Sequence, residues 1–296
     1  MKRLFIIGLS LFIICFLAAT LVWFGFEHKK FQINEYQKTF HQDADDLTVN
    51  LKSQVRQDVT IKKGQHFAIH YKGKRYIRHT HSNNHLTISE KVNKKDRYGM
   101  NFNPFRLKKD SLVITVPPKK LSSLKIHNVD GELTIKDIAT KSLNLESTEY
   151  SNPKLNIEDS KIERLKYLTT RLRAHISNCE ILDGKLKTDE GELKLHKTLL
   201  KNVAVINHEN DINLTDMQPL CNFKASSDNG DIHLNYQHKP KDTSLKLNPI
   251  FGKEHIDNQY FKDYRVGNGN NKIELYTYYG DISVSYTHLT LPTILL

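Results

Sequence analysis

The chain has 296 residues, 38% of them hydrophobic and 26% charged, with 44 Lys/Arg against 33 Asp/Glu for a formal net charge of +11. That apolar content supports one globular body and excludes a wholly disordered chain. Three cysteines exclude a disulfide-dense scaffold.

Residues 1–3 read as a cytoplasmic tip and residues 4–26 as a transmembrane signal anchor. Leu4 to Phe26 is a run of 23 residues without a charge, long enough at about 1.5 Å per residue to cross roughly 30 Å of hydrocarbon. Lys2 and Arg3 before the run favour an internal N-terminus and an extracytoplasmic body, although Lys29 and Lys30 follow it. The run exceeds a cleavable signal's apolar core of about 7 to 15 residues. Residues 27–46, polar with scattered Phe31, Tyr36 and Phe40, are expected to form a juxtamembrane stalk.

From 51 to 125 the chain holds 18 Lys/Arg against four acids, so the positive charge is local. Period-2 patterns at Val59–Ile61, Phe67–Ile69, Leu86–Ile88 and Leu112–Val116 predict strands there. The last stops at Pro117-Pro118, which cannot continue a central strand. Between them, Asn93 to Leu107 is expected to be a long basic loop. Lys94, Lys95, Arg97, Arg106, Lys108 and Lys109 are its candidate contacts to anionic lipid headgroups or phosphate-bearing wall polymers, since clustered Lys/Arg beside a membrane attract both. A solvated, soluble face is the competing reading. No recognition motif supports nucleic acid.

From Leu124 to Tyr236 one phrase recurs: a turn with Gly or Asn, an acid, then two apolar residues separated by a polar one. It appears as Gly131-Glu132-Leu133-Thr134-Ile135, Gly191-Glu192-Leu193-Lys194-Leu195, Asn210-Asp211-Ile212-Asn213-Leu214 and Gly230-Asp231-Ile232-His233-Leu234. Pro153-Lys154-Leu155-Asn156-Ile157 is a degraded copy, and Gly280-Asp281-Ile282-Ser283-Val284 closes the series. Leu133, Leu155, Leu193, Ile212 and Ile232 follow at intervals of 22, 38, 19 and 20, the 38 spanning a divergent rung at Arg173-Ala174-His175-Ile176. A fixed period of this length marks a solenoid, and period-2 alternation makes its coils strands. A second alternating pair precedes each phrase, as in Leu124/Ile126, Leu143/Leu145, Val203/Val205 and Phe223/Ala225. The two strands of a coil would join at the Gly/Asn turn, where positive φ costs little. One coil buries too few side chains to offset the ordering of about twenty residues, so coils must stack. His238 to Tyr264 reads as an excursion or irregular coil, the pattern resumes at Lys272-Ile273-Glu274-Leu275, and Tyr276 to about Val284 is the final coil.

The fold class is therefore all-β, a single β-solenoid (β-helix-like) ectodomain over 47–284 on one N-terminal transmembrane helix. Residues 285–296 stand apart, because Val284 to Thr293 resembles a translation of a transposon-end sequencing adapter. They are expected to be a non-native tail.

The chemical motifs are sparse. His79, His81 and His85 lack an accompanying Cys or carboxylate in their segment, so exposed polar histidine is expected over a zinc site. Glu132, Glu192, Asp211, Asp231 and Asp281 share one repeat position and invite Ca²⁺, but an acid after a turn glycine is ordinary turn chemistry. Gly267-Asn268-Gly269 reads as a turn, not a nucleotide loop. Cys179 and Cys221, 42 residues apart at different repeat positions, do not predict a disulfide. No catalytic residue, cofactor or metal ligand is assigned.

The succession Leu112–Pro117, Leu124-Lys125-Ile126 and Gly131–Ile135, repeated and ended by Gly280-Asp281-Ile282, resembles the bacterial envelope "putative adhesin" domain family, which includes LiaG-like proteins. The resemblance implies a β-solenoid-like body on the outer face of a Gram-positive membrane, associated with envelope-stress proteins and without catalytic residues. Adhesion, scaffolding and envelope-stress sensing are the roles expected. A carbohydrate-active β-helix enzyme acting on wall glycans is the alternative and would need paired acids in a groove.

Overall fold

The computed structural model describes residues 2–27, 34–52, 57–73, 75–91, 110–148, 151–218 and 220–286. The apolar N-terminal run forms one α-helix, Lys2–Val22, continued by a wider π-type turn over Trp23–Glu27. None of the α-helix's residues is buried, and it is long and apolar enough to cross a membrane.

Two facing β-sheets make up the body, and in its middle both are parallel and in register. In the first sheet Glu132–Lys136, Lys154–Glu158, Arg173–Ser177, Leu193–His196, Ile212–Met217 and Ile232–Tyr236 lie side by side. The second sheet places Ser123–His127, Ala139–Glu146, Lys161–Arg171, Glu180–Glu190, Val203–Asn207 and Phe223–Ser227 likewise. Parallel coils present the same repeat position at every level, so each inward residue sits on its own kind. Leu133, Leu155, Ala174, Leu193, Ile212 and Ile232 form one column; Ile135, Ile157, Ile176, Leu195, Leu214 and Leu234 form another. All are buried. The repeat is thus the solenoid predicted, and the copies that looked degraded at Pro153 and Arg173 are regular rungs.

Both ends break sequence order. Asp46–Asn50 and Gln57–Lys63 pair directly with the coil at Ser123–Lys136, and His85–Lys91 and Asp110–Val116 add the next coil outward. Phe67–Gly73 and Tyr76–Ser82 then pair antiparallel, and Asn34–Phe40 forms the edge of the first sheet. That edge strand falls inside the segment expected to be a stalk. Its aromatics explain the difference: the Tyr36 hydroxyl shares a 2.8 Å hydrogen bond with His79 Nδ1, and the Phe40 ring meets His79 edge-on at 5.0 Å. They plug the open end of the core.

At the other end the excursion supplies the outermost coil, Thr243–Pro249 and Glu254–Asp257, while Asn271–Thr277 and Ile282–Tyr286 insert beneath it. The final coil lies inside because Ile273, Leu275, Ile282 and Val284 are fully apolar and need a neighbour on each side. Strand Thr243–Pro249 is only half buried and suits the exposed end. Ser285 and Tyr286 complete the last strand; the rest of the expected tail lies outside the described residues.

Corner chemistry differs from expectation in one respect. Positive φ occurs at Gly131 and Gly191, but not at Asn210, Gly230 or Gly280. Gly230 is required for closeness instead, since a Cβ there would lie 2.4 Å from the Asn210 carbonyl carbon. At the opposite corner a column of left-handed residues stacks, Asp137, Asp159, Asn178, Lys197 and Asp216, with φ between 47° and 56°. Short polar side chains tolerate that conformation, and Lys197 alone has no such reason.

Leu214 lies in mid-column with neighbours above and below. Leu214→Ala is expected to lose about 2–5 kcal/mol by urea denaturation, whereas Thr134→Ala on the outer face should change stability by less than about 0.5 kcal/mol.

Candidate functional site

All six candidate binding residues, Lys94, Lys95, Arg97, Arg106, Lys108 and Lys109, lie outside the described residues. The root of their segment is described. Alternation along Leu86–Ile88–Glu90 and Asp110–Leu112–Ile114 turns both flanking carboxylates toward the core, where each is only 5% exposed. Burying two acids demands partners. Arg75 Nη1 donates to Glu90 Oε2 and, at 3.0 Å, to the Lys52 carbonyl, while the Lys52 N–H donates to Glu90 at 2.8 Å. The Arg75 N–H donates to the Tyr71 hydroxyl at 2.8 Å, and that hydroxyl donates to Asp110 at 3.1 Å. A continuous polar network thus pins both ends of the basic segment to the solenoid. Burial holds the Glu90 carboxyl above its ordinary range against the lowering influence of Arg75. It likewise raises the Tyr71 phenol.

The sequence reading missed this network. Its signal was available: Glu90 and Asp110 are two of the four acids among 18 Lys/Arg, and both continue an apolar alternation.

The acidic repeat position does structural work. Asp211 accepts the Asp231 N–H at 2.8 Å, Asp231 accepts the Asp281 N–H at 2.7 Å, and Asp281 accepts the Lys253 N–H at 2.8 Å. Each carboxylate therefore satisfies the backbone of the next coil, and the Lys253 N–H holds Asp281 below its ordinary range. Beneath them runs a fully buried polar column, Thr188, Asn207, Ser227 and Thr277. Asn207, Ser227 and Thr277 donate to the turn carbonyls of Gly191, Asn210 and Gly230 in the preceding coil, at 2.8, 3.0 and 3.1 Å.

The histidines are dispersed. His79 is engaged by Tyr36, His81 Nε2 contacts the Asp43 carbonyl at 3.1 Å, and His85 Nε2 contacts Thr48 Oγ1 at 3.0 Å. Among the described residues no group of three or more His, Cys, Asp or Glu is arranged to hold a metal. Cys179 and Cys221 are free thiols. Cys179 occupies a Ser160–Cys179–Thr198 column, donates to the Ser177 carbonyl at 3.1 Å, and is pushed up to about 11 by burial. Gly267 and Gly269, with φ of 65° and 74°, form a turn whose Asn268 N–H is capped by Asp242 at 2.6 Å.

A surface groove at the Gly/Asn corner collects Glu192, Glu209 and Asp211 beside Arg173. Each carboxylate is tied to a neighbour: Glu192 to Lys194 at 2.5 Å, Glu209 to Asn229 at 3.2 Å, and Asp211 to the Asp231 N–H.

Residues 45–285 match the family model described as Toastrack DUF4097. Among solved structures, a "putative adhesin" from Parabacteroides distasonis is similar at 10% identity and a TM-score of 0.53, covering 86% of this chain and 97% of that one. A "putative adhesin" from Bacteroides fragilis has 12% identity and a TM-score of 0.40 over the same shares. No curated protein matches.

Arg75→Met should leave Glu90 buried without its cation and cost about 3–5 kcal/mol, and Arg75→Met/Glu90→Leu should recover most of it in urea denaturation. Because burial raises Glu90 from its ordinary 4.5, the folded chain binds its proton more tightly than the unfolded chain. Its contribution to stability is complete below pH 4.5 and is lost as pH rises through the folded-state pKa. Glu90→Gln should flatten that limb of the stability–pH curve.

Proposed function

Since the chain belongs to the Toastrack DUF4097 family, we propose that it is a non-enzymatic surface protein held by one transmembrane helix with its solenoid outside the cell membrane. The rod would serve adhesion, scaffolding or envelope-stress sensing. The observation that carries this reading is the short tether. The helical segment ends at Glu27 and the first strand of the body begins at Asn34, so at about 3.3–3.6 Å per residue the strand starts within roughly 25 Å of the helix end. A body tethered so shortly can stand in a bilayer's electrostatic field, and the strands that flank segment 94–109 in sequence, His85–Lys91 and Asp110–Val116, belong to the coils at the end that carries the first strand.

Lys94, Lys95, Arg97, Arg106, Lys108 and Lys109 are proposed to bind anionic headgroups or phosphate-bearing wall polymers, with the Arg75–Glu90–Asp110 network fixing where that segment leaves the body. The alternative, a wall-glycan enzyme, requires carboxylates available as acid and base. The groove's acids are instead each engaged, Glu192 by Lys194, Glu209 by Asn229 and Asp211 by the Asp231 N–H, which favours the non-enzymatic reading.

Protease treatment of intact cells should remove the body and leave the helix; protection of the body would reverse the topology. In nanodiscs of zwitterionic lipid, the full chain should retain anionic wall polymer in a salt-dependent manner. Lys94→Ser/Lys95→Ser/Lys108→Ser/Lys109→Ser should weaken retention at least tenfold, given about 1 kcal/mol per cation near an anionic surface.

A further inference from the structure

Across neighbouring coils this solenoid places opposite charges side by side. On the outer faces Lys136 meets Glu158 at 3.0 Å, Arg171 meets Glu190 at 3.1 Å, Lys161 meets Glu180 at 3.7 Å and Arg164 meets Asp183 at 3.9 Å. In each case the partners sit at matching positions of adjacent parallel strands. Such pairs are favourable by a few tenths of a kcal/mol to about 1 kcal/mol, and like charges directly opposite are unfavourable.

Like charges also face each other at Lys62–Lys136 and Lys154–Arg173 in the first sheet, where Glu158 and Glu132 pair with Lys136 and Lys154; the centre of the second sheet's outer face has a like-charge pair without that relief. Lys166 lies directly opposite Lys185 in adjacent strands. Both are exposed, and neither meets a carboxylate among the described residues. The same column continues with Lys125, two coils toward the helix-linked end, across Asn144. In the other direction it reaches Lys224, two coils away across Ala204, where Glu274 partners it at 3.1 Å. Beside the central pair, Leu168 is 44% exposed. Nothing in the fold demands lysine there. The equivalent column of the first sheet carries Thr134, Asn156, His175, Lys194, Asn213 and His233, and its one lysine faces no second lysine and is paired with Glu192 at 2.5 Å.

We propose that the Lys125–Lys166–Lys185–Lys224 column is a binding track for a linear polyanion, a chain of phosphodiester-linked polyol units lying along the solenoid axis. The spacing is the argument for a chain. Parallel strands are about 4.8 Å apart, so Lys166 and Lys185 share one phosphate between two ammonium groups. Two strand spacings to either side, about 10 Å away, stand Lys125, which can meet another phosphate of the same chain, and Lys224, which Glu274 already partners and which would meet the polymer only as an ion-paired cation. Leu168 offers the polyol backbone an apolar contact. The unfavourable Lys166–Lys185 juxtaposition is relieved on binding, so the track is destabilising when empty. This assignment rests on the extracytoplasmic reading for access to such a polymer, but the site is distinct from segment 94–109.

The full chain in zwitterionic nanodiscs should bind poly(glycerol phosphate) in a salt-dependent manner, and Lys166→Ser/Lys185→Ser should weaken binding about tenfold. Lys136→Ser/Lys154→Ser removes the same charge from ion-paired positions on the other sheet and should have little effect. Lys185→Glu should give the coils the opposite-charge pairing used elsewhere, raising the unfolding midpoint while abolishing binding at the track. Equal loss in both double variants would mean diffuse charge and overturn the proposal. So would unchanged binding in Lys166→Ser/Lys185→Ser, or loss only on substituting Lys94, Lys95, Lys108 and Lys109, which would assign the polymer to that segment and leave the surface-protein reading intact. Preference for phosphatidylglycerol vesicles over the polymer would assign the track to a membrane and also overturn it.

Discussion

In-register stacking of parallel strands decides which residues of this chain meet, and almost every other feature follows from it. A residue's neighbours above and below are those about twenty positions away in sequence, so each side chain must be compatible with its counterparts in adjacent coils. Inward positions satisfy this with aliphatic residues, as in the column from Ile135 to Leu234. Corner positions cannot, because turns expose backbone carbonyls that the ladder of strand hydrogen bonds does not reach. The buried Asn207, Ser227 and Thr277 meet that need by reaching back one coil. The Asp211–Asp231–Asp281 ladder does the same for N–H groups on the outside of the corner.

That reasoning also explains what a bare sequence conveys. The columns were legible because period 2 within a strand and a period near 20 between strands reinforce one another. Leu133, Leu155 and Leu193 could be aligned by counting. A degenerate rung such as Arg173–Ser177 was legible only as a gap, because Ala174 is a weak apolar signal on its own. It holds its place through neighbours: Leu155 and Leu193 flank Ala174 in register, and Ile176 keeps the parallel column intact. Reading the acids as turn residues was correct in location and incomplete in mechanism, since hydrogen bonding between coils cannot be seen along one strand.

The ends resisted reading for a different reason. A repeat gives the interval between coils but not their order, and order departs from sequence at both ends. Exposure sets that order. The coil of Ile273, Leu275, Ile282 and Val284 has too much apolar surface to be outermost, so Thr243–Asp257 covers it. At the opposite end Tyr36, Phe40 and His79 close the core, which is why an apparently polar stalk contains an edge strand. The pinning network escaped notice for a related reason. Glu90 and Asp110 continue apolar alternations as inward positions, but their partner Arg75 comes from an antiparallel reversal that no repeat announces.

Because coils follow one axis, a tally along the chain approximates a map along the rod. Among the described residues, those of 34–127 carry 11 Lys/Arg against 7 acids, those of 128–187 carry 10 against 9, and those of 188–286 carry 11 against 14. Charge among the described residues therefore falls from modestly positive at the end that carries the first strand to slightly negative at the far end. Packing does not impose this gradient, since inward columns are aliphatic throughout and the outward positions are free to vary. Nor does local pairing, which is equally available at every level. The proposed position beside an anionic surface is consistent with it. Screening confines electrostatic attraction to about 8 Å at physiological ionic strength, so only the coils beside an anionic surface would gain from added cations. The middle of the rod, balanced overall, can then display a local exception such as Lys166 beside Lys185, which nearby net charge does not explain.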